Sequence, residues 1–173
     1  MKKFFAVAIL ALATLSINAQ DFKKFRFGPT AGLTVSKVTG GGAKFGIGFQ
    51  AGVRGEYNFS DNFYLGSAFM LAQKGMKDQA AGYLEIPINV GYRYNVSDSF
   101  AMFGEVGPYL GVGIYGKNGY FDVAKRFDMG VGVAIGAEIS KFQIRAGYEY
   151  GITKVFPGVG HNSSIFVGLA YMF

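Results

Sequence analysis

Residues 127–151 read FDMGVGVAIGAEISKFQIRAGYEYG. In the first arm Phe127, Met129, Val131, Val133, Ile135 and Ile139 share one parity, and Asp128, Gly130, Gly132, Gly136 and Glu138 share the other. A period of two is a strand with one apolar face. After Ser140 and Lys141 the second arm carries Phe142, Ile144, Ala146, Tyr148, Tyr150 and Ile152 against Gln143, Arg145, Gly147, Glu149 and Gly151. The apolar parity has switched from odd to even, so cross-strand partners must sum to an odd number. A two-residue turn that pairs Ile139 with Phe142 satisfies this.

Working outward, the same pattern predicts eight strands and no helix. The first runs over 25–35, with Phe25, Phe27, Ala31, Leu33 and Val35 alternating against Arg26, Gly28, Thr30, Gly32 and Thr34. The second covers 45–57 and is equally regular. The third, 63–73, is apolar or small on both faces, and Phe63, Leu65, Phe69 and Leu71 are assigned outward. The fourth covers 83–94, the fifth 100–114 and the eighth 164–173. The long connections are expected over 37–44, 74–82, 115–126 and 153–163, and the short turns at the opposite end. Two short turns are near copies, Tyr57-Asn-Phe-Ser-Asp-Asn-Phe63 and Tyr94-Asn-Val-Ser-Asp-Ser-Phe100, each expected to set a Tyr opposite a Phe. Pro29, Pro87 and Pro108 fall inside strands, where each removes a ladder donor, so bulges or misplaced strand ends are expected there.

Alternation alone does not say which face looks inward. A soluble eight-stranded cup has an apolar interior; a membrane barrel reverses this. The polar face decides, because it is largely glycine with a few Arg, Glu and Asp, rather than the Lys, Glu, Thr and Asn of a solvated surface. Lys37, Lys44, Lys74, Lys77, Lys117, Lys125, Lys141 and Lys154 are expected in turns, loops or strand ends. Aromatic residues gather at both strand ends, as in the girdles of a membrane-spanning barrel. The fold class is therefore all-β, an eight-stranded antiparallel up-and-down transmembrane β-barrel.

That orientation turns charges into the lumen. Arg26, Arg54, Glu56, Arg93, Glu105, Glu138 and Arg145 lie at similar depth, and Glu85, Asp128 and Glu149 lie further from the short turns. Four arginines and three glutamates at one level can pair in forked geometry and avoid uncompensated buried charge.

The chain start is read separately. Lys2 and Lys3 precede an apolar run from Phe4 to Leu15, with Ala19 at a cleavage position, so residues 1–19 read as a secretory signal peptide and 20–173 as the barrel domain. The run is shorter than the ~20 residues of a spanning helix. The formal charge of +6 comes from scattered lysines rather than a stripe, so nucleic acid is not an expected partner. Cysteine is absent, which excludes disulfides and thiolate metal sites. No cofactor or metal is expected.

The segments Tyr83-Leu-Glu-Ile-Pro-Ile88 with Gly91-Tyr-Arg-Tyr94, Gly107-Pro-Tyr-Leu-Gly111, and the hairpin from Phe127-Asp to Tyr148-Glu-Tyr-Gly151 resemble the PorT-like outer-membrane β-barrel family. The architecture also resembles OmpX and the OmpA barrel. The resemblance implies a bacterial outer-membrane location, lipid as surroundings, and the barrel-assembly machinery as a partner during biogenesis. Leu169, Tyr171 and Phe173 resemble its recognition signal. A monomer is expected.

Chemistry is thin. Gly111, Gly113 and Gly116 match G-x-G-x-x-G but lie in a strand without the helix a dinucleotide site needs. His161 is the single histidine, expected in an exposed loop, and without cysteines it makes a poor transition-metal site. Ser163 and Ser164 beside it suggest no serine–histidine geometry. Glu85 with Glu105 is a carboxylate pair that charge balance explains better than acid–base catalysis. The function expected is a structural or loop-mediated interaction role in the cell envelope, without enzymatic activity, the loops 115–126 and 153–163 meeting an envelope protein. The alternatives are a narrow pore, an accessory of a protein secretion system, and, last, an enzyme modifying envelope lipid.

Overall fold

The computed structural model describes residues 24–39, 44–76, 79–156 and 159–173. The signal peptide expected over 1–19, and Lys77, lie outside them. The chain forms β1 (Phe25–Val38), β2 (Gly46–Asn58), β3 (Phe63–Met76), β4 (Gln79–Ser97), β5 (Phe100–Gly116), β6 (Phe127–Ile139), β7 (Phe142–Phe156) and β8 (Val159–Tyr171). Each strand pairs antiparallel with its sequence neighbours, and β1 pairs with β8, so the sheet closes on itself.

Closure disposes of the unpaired edges that hydrocarbon cannot solvate. Strands of 13 to 19 residues exceed the roughly 9–11 needed to cross the hydrocarbon layer, so their ends project beyond it. Odd-numbered residues of β1–β3, β6 and β8, and even-numbered residues of β4, β5 and β7, face outward. Leu33, Ile47, Phe69, Val106, Ile135 and Leu169 are among the large apolar side chains left exposed there. Exposure on this scale is what a lipid surface requires and what a soluble protein avoids. The outward assignment of Phe63, Leu65, Phe69 and Leu71 on β3 is correct.

The hairpin of residues 127–151 has the register its parity demands, Ile139 opposite Phe142. The near-identical turns do not. Tyr57 lies opposite Leu65, and Phe63 offers no partner ring to it but stacks on Phe59 and meets Tyr92 of β4 edge-on. Tyr94 lies opposite Met102, with a register shift between Asn95 and Ser97 that tightens the second copy. Strand pairing continues into both segments further than the sequence repeat implies.

The far end also differs from expectation. Residues 74–76, 79–82, 153–156 and 159–163 are strand, so two of the anticipated loops are β-ribbons. The segment 115–126 is not wholly irregular: a 3-10 turn, Lys117–Gly119, leads into a one-turn helix, α1 (Tyr120–Val123). Asn118 and Gly119 take left-handed backbone angles, which turn the chain back over the barrel mouth.

The prolines cause gaps rather than bulges. Pairing of β3 with β4 stops at Ser67–Ile88 and resumes at Met70–Glu85 without a register change around Pro87. Pairing of β4 with β5 skips likewise at Pro108, and Pro29 sits one residue before the continuous β1–β8 ladder begins. Flanking bonds hold the register while one donor is missing. At Pro87 the lipid-facing Ser67 hydroxyl donates to the proline carbonyl at 2.8 Å, satisfying an acceptor where the ladder is open.

Glycine has two uses on the inner face. At Gly52 a Cβ would lie 2.1 Å from the Phe69 carbonyl oxygen, so the β2–β3 corner can fold this tightly only without a side chain. At Gly91 the space belongs to the Tyr64 ring, 2.1 Å from where a Cβ would sit.

Candidate functional site

The lumen is filled from the short-turn end by a layer of four arginines and three glutamates. Period two aims Arg26, Arg54, Glu56, Arg93, Glu105, Glu138 and Arg145 inward from six strands, and the barrel is narrow enough for them to meet. Glu56, fully buried, is the hub. It accepts from Arg26 at 2.6 Å, Arg54 at 3.0 and 3.1 Å, Arg93 at 2.5 Å and Gln143 at 3.0 Å. Glu105 takes Arg54 at 2.5 Å, Arg145, and the Tyr64 hydroxyl at 3.1 Å. Glu138 binds Arg26 in a forked pair at 2.5 and 2.9 Å. Carboxylate lone pairs are thus matched by guanidinium donors, the condition under which buried charge is tolerated.

A second layer lies toward the other end. Lys74 lies 2.6 Å from both Glu85 and Glu149. The sequence reading put this lysine in a loop; it is buried inside the wall because β3 continues three residues further than its apolar alternation suggests. Asp128 accepts from Thr153 at 2.9 Å, Asn162 at 2.8 Å and Tyr109 at 3.2 Å. The ten lumen charges thus stand in two groups, Glu85, Asp128 and Glu149 apart from the other seven, and Lys74 joins the smaller group. Glu85 and Glu105 stand in different layers, each held by its own cations, so they form no acid–base pair.

Inward rings separate and support the charges. Arg93 lies over Tyr64 at 4.5 Å, Lys74 over Tyr109 at 4.2 Å and Arg145 over Phe166 at 5.4 Å. Tyr64 and Phe166 were not singled out from the sequence, although the parity that turns Phe63 and Ile165 outward turns them inward. Between the layers, bounded by Arg145 and Glu149 with Gln50, Asn89 and Met70 around it, is a cavity of about 20 Å³. That is room for one water.

The mouth opposite the short turns is capped. Tyr120 of α1 is buried against Ala81, Tyr83, Ala124 and Val155, with Phe121 and Phe156 packed beside it. Burial pushes the Tyr120 phenol well above its usual range. Lys125 N–H donates to the Val155 carbonyl at 2.8 Å and Arg126 to the Gly113 carbonyl at 3.2 Å, so the connection is stitched to strands on both sides. The G-x-G-x-x-G glycines hold no phosphate cradle, since the Phe121 ring occupies the space over Gly113. Val123 on the same turn points away and is 64% exposed.

His161 is in β8 rather than a loop, opposite Lys154 and stacked on Tyr150 at 5.5 Å. The Ser163 hydroxyl is shared with Tyr148 at 3.0 Å. Leu169, Tyr171 and Phe173 all belong to the outward-facing set, with the Tyr171 and Phe173 rings 5.1 Å apart. Among the described residues no cluster of His, Asp and Glu could hold a metal ion.

A family model for an outer membrane protein beta-barrel domain matches residues 18–157. No curated protein matches the sequence. Among solved structures, Ail, the attachment invasion locus protein of Yersinia pestis, is 17% identical with a TM-score of 0.52, covering 87% of this chain and 99% of its own. Neisserial surface protein A is 13% identical with a TM-score of 0.57, over 86% and 97%. OprG of Pseudomonas aeruginosa is 14% identical with a TM-score of 0.51, over 87% and 96%. At these identities the similarity is one of fold.

Proposed function

The chain belongs to the outer membrane protein beta-barrel domain family, and from that premise we propose that it is a non-catalytic wall protein of the bacterial outer membrane whose capped end meets an envelope partner. The observation that carries this reading is the filled lumen. Two salt-bridged layers, with space for about one water between them, leave the exposed end as the surface through which the protein acts. The cap supplies that surface: α1 is anchored by Tyr120 and displays Val123 outward. A filled lumen argues against the narrow-pore alternative. Within the family, the Tyr83–Tyr94 and Gly107–Gly111 segments favour a place near the PorT-like barrels, some of which serve protein secretion.

A photo-crosslinking residue at Val123 in intact cells tests the reading. Capture of one discrete envelope protein supports it, and the same adducts from a crosslinker at lipid-facing Ile135 would refute it. A steady conductance from purified protein in planar bilayers would refute it as well, in favour of the pore.

A further inference from the structure

We propose that the capped end of β2, Gly46 to Phe49, is an open sheet edge that takes up an extended segment of another protein by strand addition. Pairing of β1 with β2 runs up to Ser36–Gly46, but pairing of β2 with β3 begins only at Gln50–Ala72. Residues 46–49 are therefore laddered on one side alone, although β3 itself continues to Met76.

The open side belongs to the backbone of Ile47. Asn58 N–H donates to the Lys24 carbonyl at 2.6 Å, which marks the even-numbered residues of β2 as those bonded to β1. The register with β1 holds without a shift up to Gly46, so the odd-numbered residues direct their N–H and C=O groups the other way. From Gln50 downward that side is closed by β3; at Ile47, among the described residues, no strand closes it.

The neighbouring strand is already satisfied. Thr34 of β1 donates to the Gln73 carbonyl at 2.8 Å, and the Ser36 hydroxyl donates to the Gly75 carbonyl at 2.9 Å while accepting from Gly75 N–H at 2.9 Å. Thr34 and Ser36 are inward and buried, so they draw this part of β3 to the lumen side of β2. Gly48 permits the close passage: a Cβ there would lie 2.4 Å from the Gln73 carbonyl oxygen and 2.8 Å from the Thr34 hydroxyl. Side chains thus seal β3 and leave β2 open.

Sheet edges are ordinarily blunted by proline, by charge or by a covering element. Residues 45–49 read Phe-Gly-Ile-Gly-Phe, and Ile47 is 80% exposed. Position and chemistry select the occupant. About eleven residues of β2, counted from Asn58, cross the hydrocarbon, so Ile47 stands at the interface, where water can hold the open groups until a strand replaces it. Lipid carries no row of amides to match a backbone edge; a polypeptide does. A second copy does not fit, because barrels inserted the same way carry β2 in one direction with a tilt of ~40°, and two such edges cross instead of pairing. The incoming segment would bear apolar residues at alternate positions, extending the outward face of Phe45, Ile47 and Phe49. It needs no contact at Val123, so the inference stands apart from the cap.

Purified protein in neutral detergent is titrated into a fluorescein-labelled synthetic peptide of alternating valine and threonine, with fluorescence anisotropy as the readout. A second peptide carries N-methyl groups on amides of both edges, which removes donors and keeps every side chain. It should bind at least about tenfold more weakly, the loss of a few hydrogen bonds. Ile47→Pro deletes the N–H on the open side and no bond to β1. It should keep the heat-dependent gel shift of a closed barrel and weaken the unmethylated peptide to a similar degree, whereas Ile47→Val should bind as wild type does. A benzophenone at the centre of the peptide should label residues 45–49, mapped by mass spectrometry. Failure of the wild type to bind the unmethylated peptide, or equal affinity for the two peptides, would overturn the proposal without recourse to any variant. So would unchanged binding by a closed Ile47→Pro barrel, or labelling confined to residues 117–126.

Discussion

Lys74 donates to Glu149 across the lumen at 2.6 Å, tying β3 to β7 through the interior of the barrel. Its ammonium also lies 2.6 Å from Glu85 and 4.2 Å over the Tyr109 ring. Replacing it with methionine, of similar length, would leave two buried carboxylates without their cation. Lys74→Met should therefore destabilise the barrel by about 3–5 kcal/mol. Urea unfolding in micelles followed by circular dichroism measures this; a loss under 1 kcal/mol would mean that Glu85 and Glu149 are not held by that cation.

The Glu56 hub makes a similar prediction for the other layer. Glu56→Gln keeps the shape but removes the charge that faces Arg26, Arg54 and Arg93. A cost of about 3–5 kcal/mol is expected, for the same reason. Glu138→Gln should cost less, because its side chain is partly exposed while that of Glu56 is not. Equal losses at the two positions would contradict the hub assignment.

Gly91 and Tyr64 test the packing of the inner face. Gly91→Ala would press a methyl into the Tyr64 ring and should cost about 1–3 kcal/mol. In a Tyr64→Ala background the same substitution should cost close to nothing, since the obstructing ring is gone. A penalty that persists in that background would place the strain elsewhere.

The cap should be separable from the barrel. Tyr120→Ala removes the ring packed against Ala81 and Val155 without touching the lumen layers. Trypsin cleavage after Lys117, Lys125 or Arg126 should quicken by at least about tenfold, as local opening of the connection becomes easier. The heat-dependent gel shift of the closed barrel should persist. If that shift is lost instead, the cap and wall unfold as one unit.

Period two made the wall readable in advance. It gave the outward face of every strand, the Ile139–Phe142 register and the inward aim of ten charges, because in a barrel a single bit of parity decides lipid or lumen at each position. What escaped lies where that bit carries no information. Lys74 was misplaced because Ala72, Lys74 and Gly75 do not alternate in polarity, and a lysine there reads as the start of a loop. The strand segments 79–82 and 153–156 were missed because their buried face is set by packing under the cap, Ala81 and Val155 against Tyr120, and not by an apolar alternation along the strand. The individual pairings within each layer, such as Glu56 with Arg26, Arg54 and Arg93, depend on stagger between strands, a three-dimensional offset that no local pattern encodes. The gaps at Pro87 and Pro108 follow from continuity of register on either side, which sequence alone does not display.

The forked pair between Arg26 and Glu138 joins groups 112 residues apart, in the first and sixth strands. A half-built wall, begun from its N-terminal strand, would offer Arg26, Arg54 and Arg93 to its surroundings with Glu105 and Glu138 still undelivered. Only the complete turn brings the late carboxylates to the early guanidinium groups. The interior electrostatics thus favour the closed cylinder over any open sheet, since Glu56 alone serves the early arginines until Glu105 and Glu138 arrive.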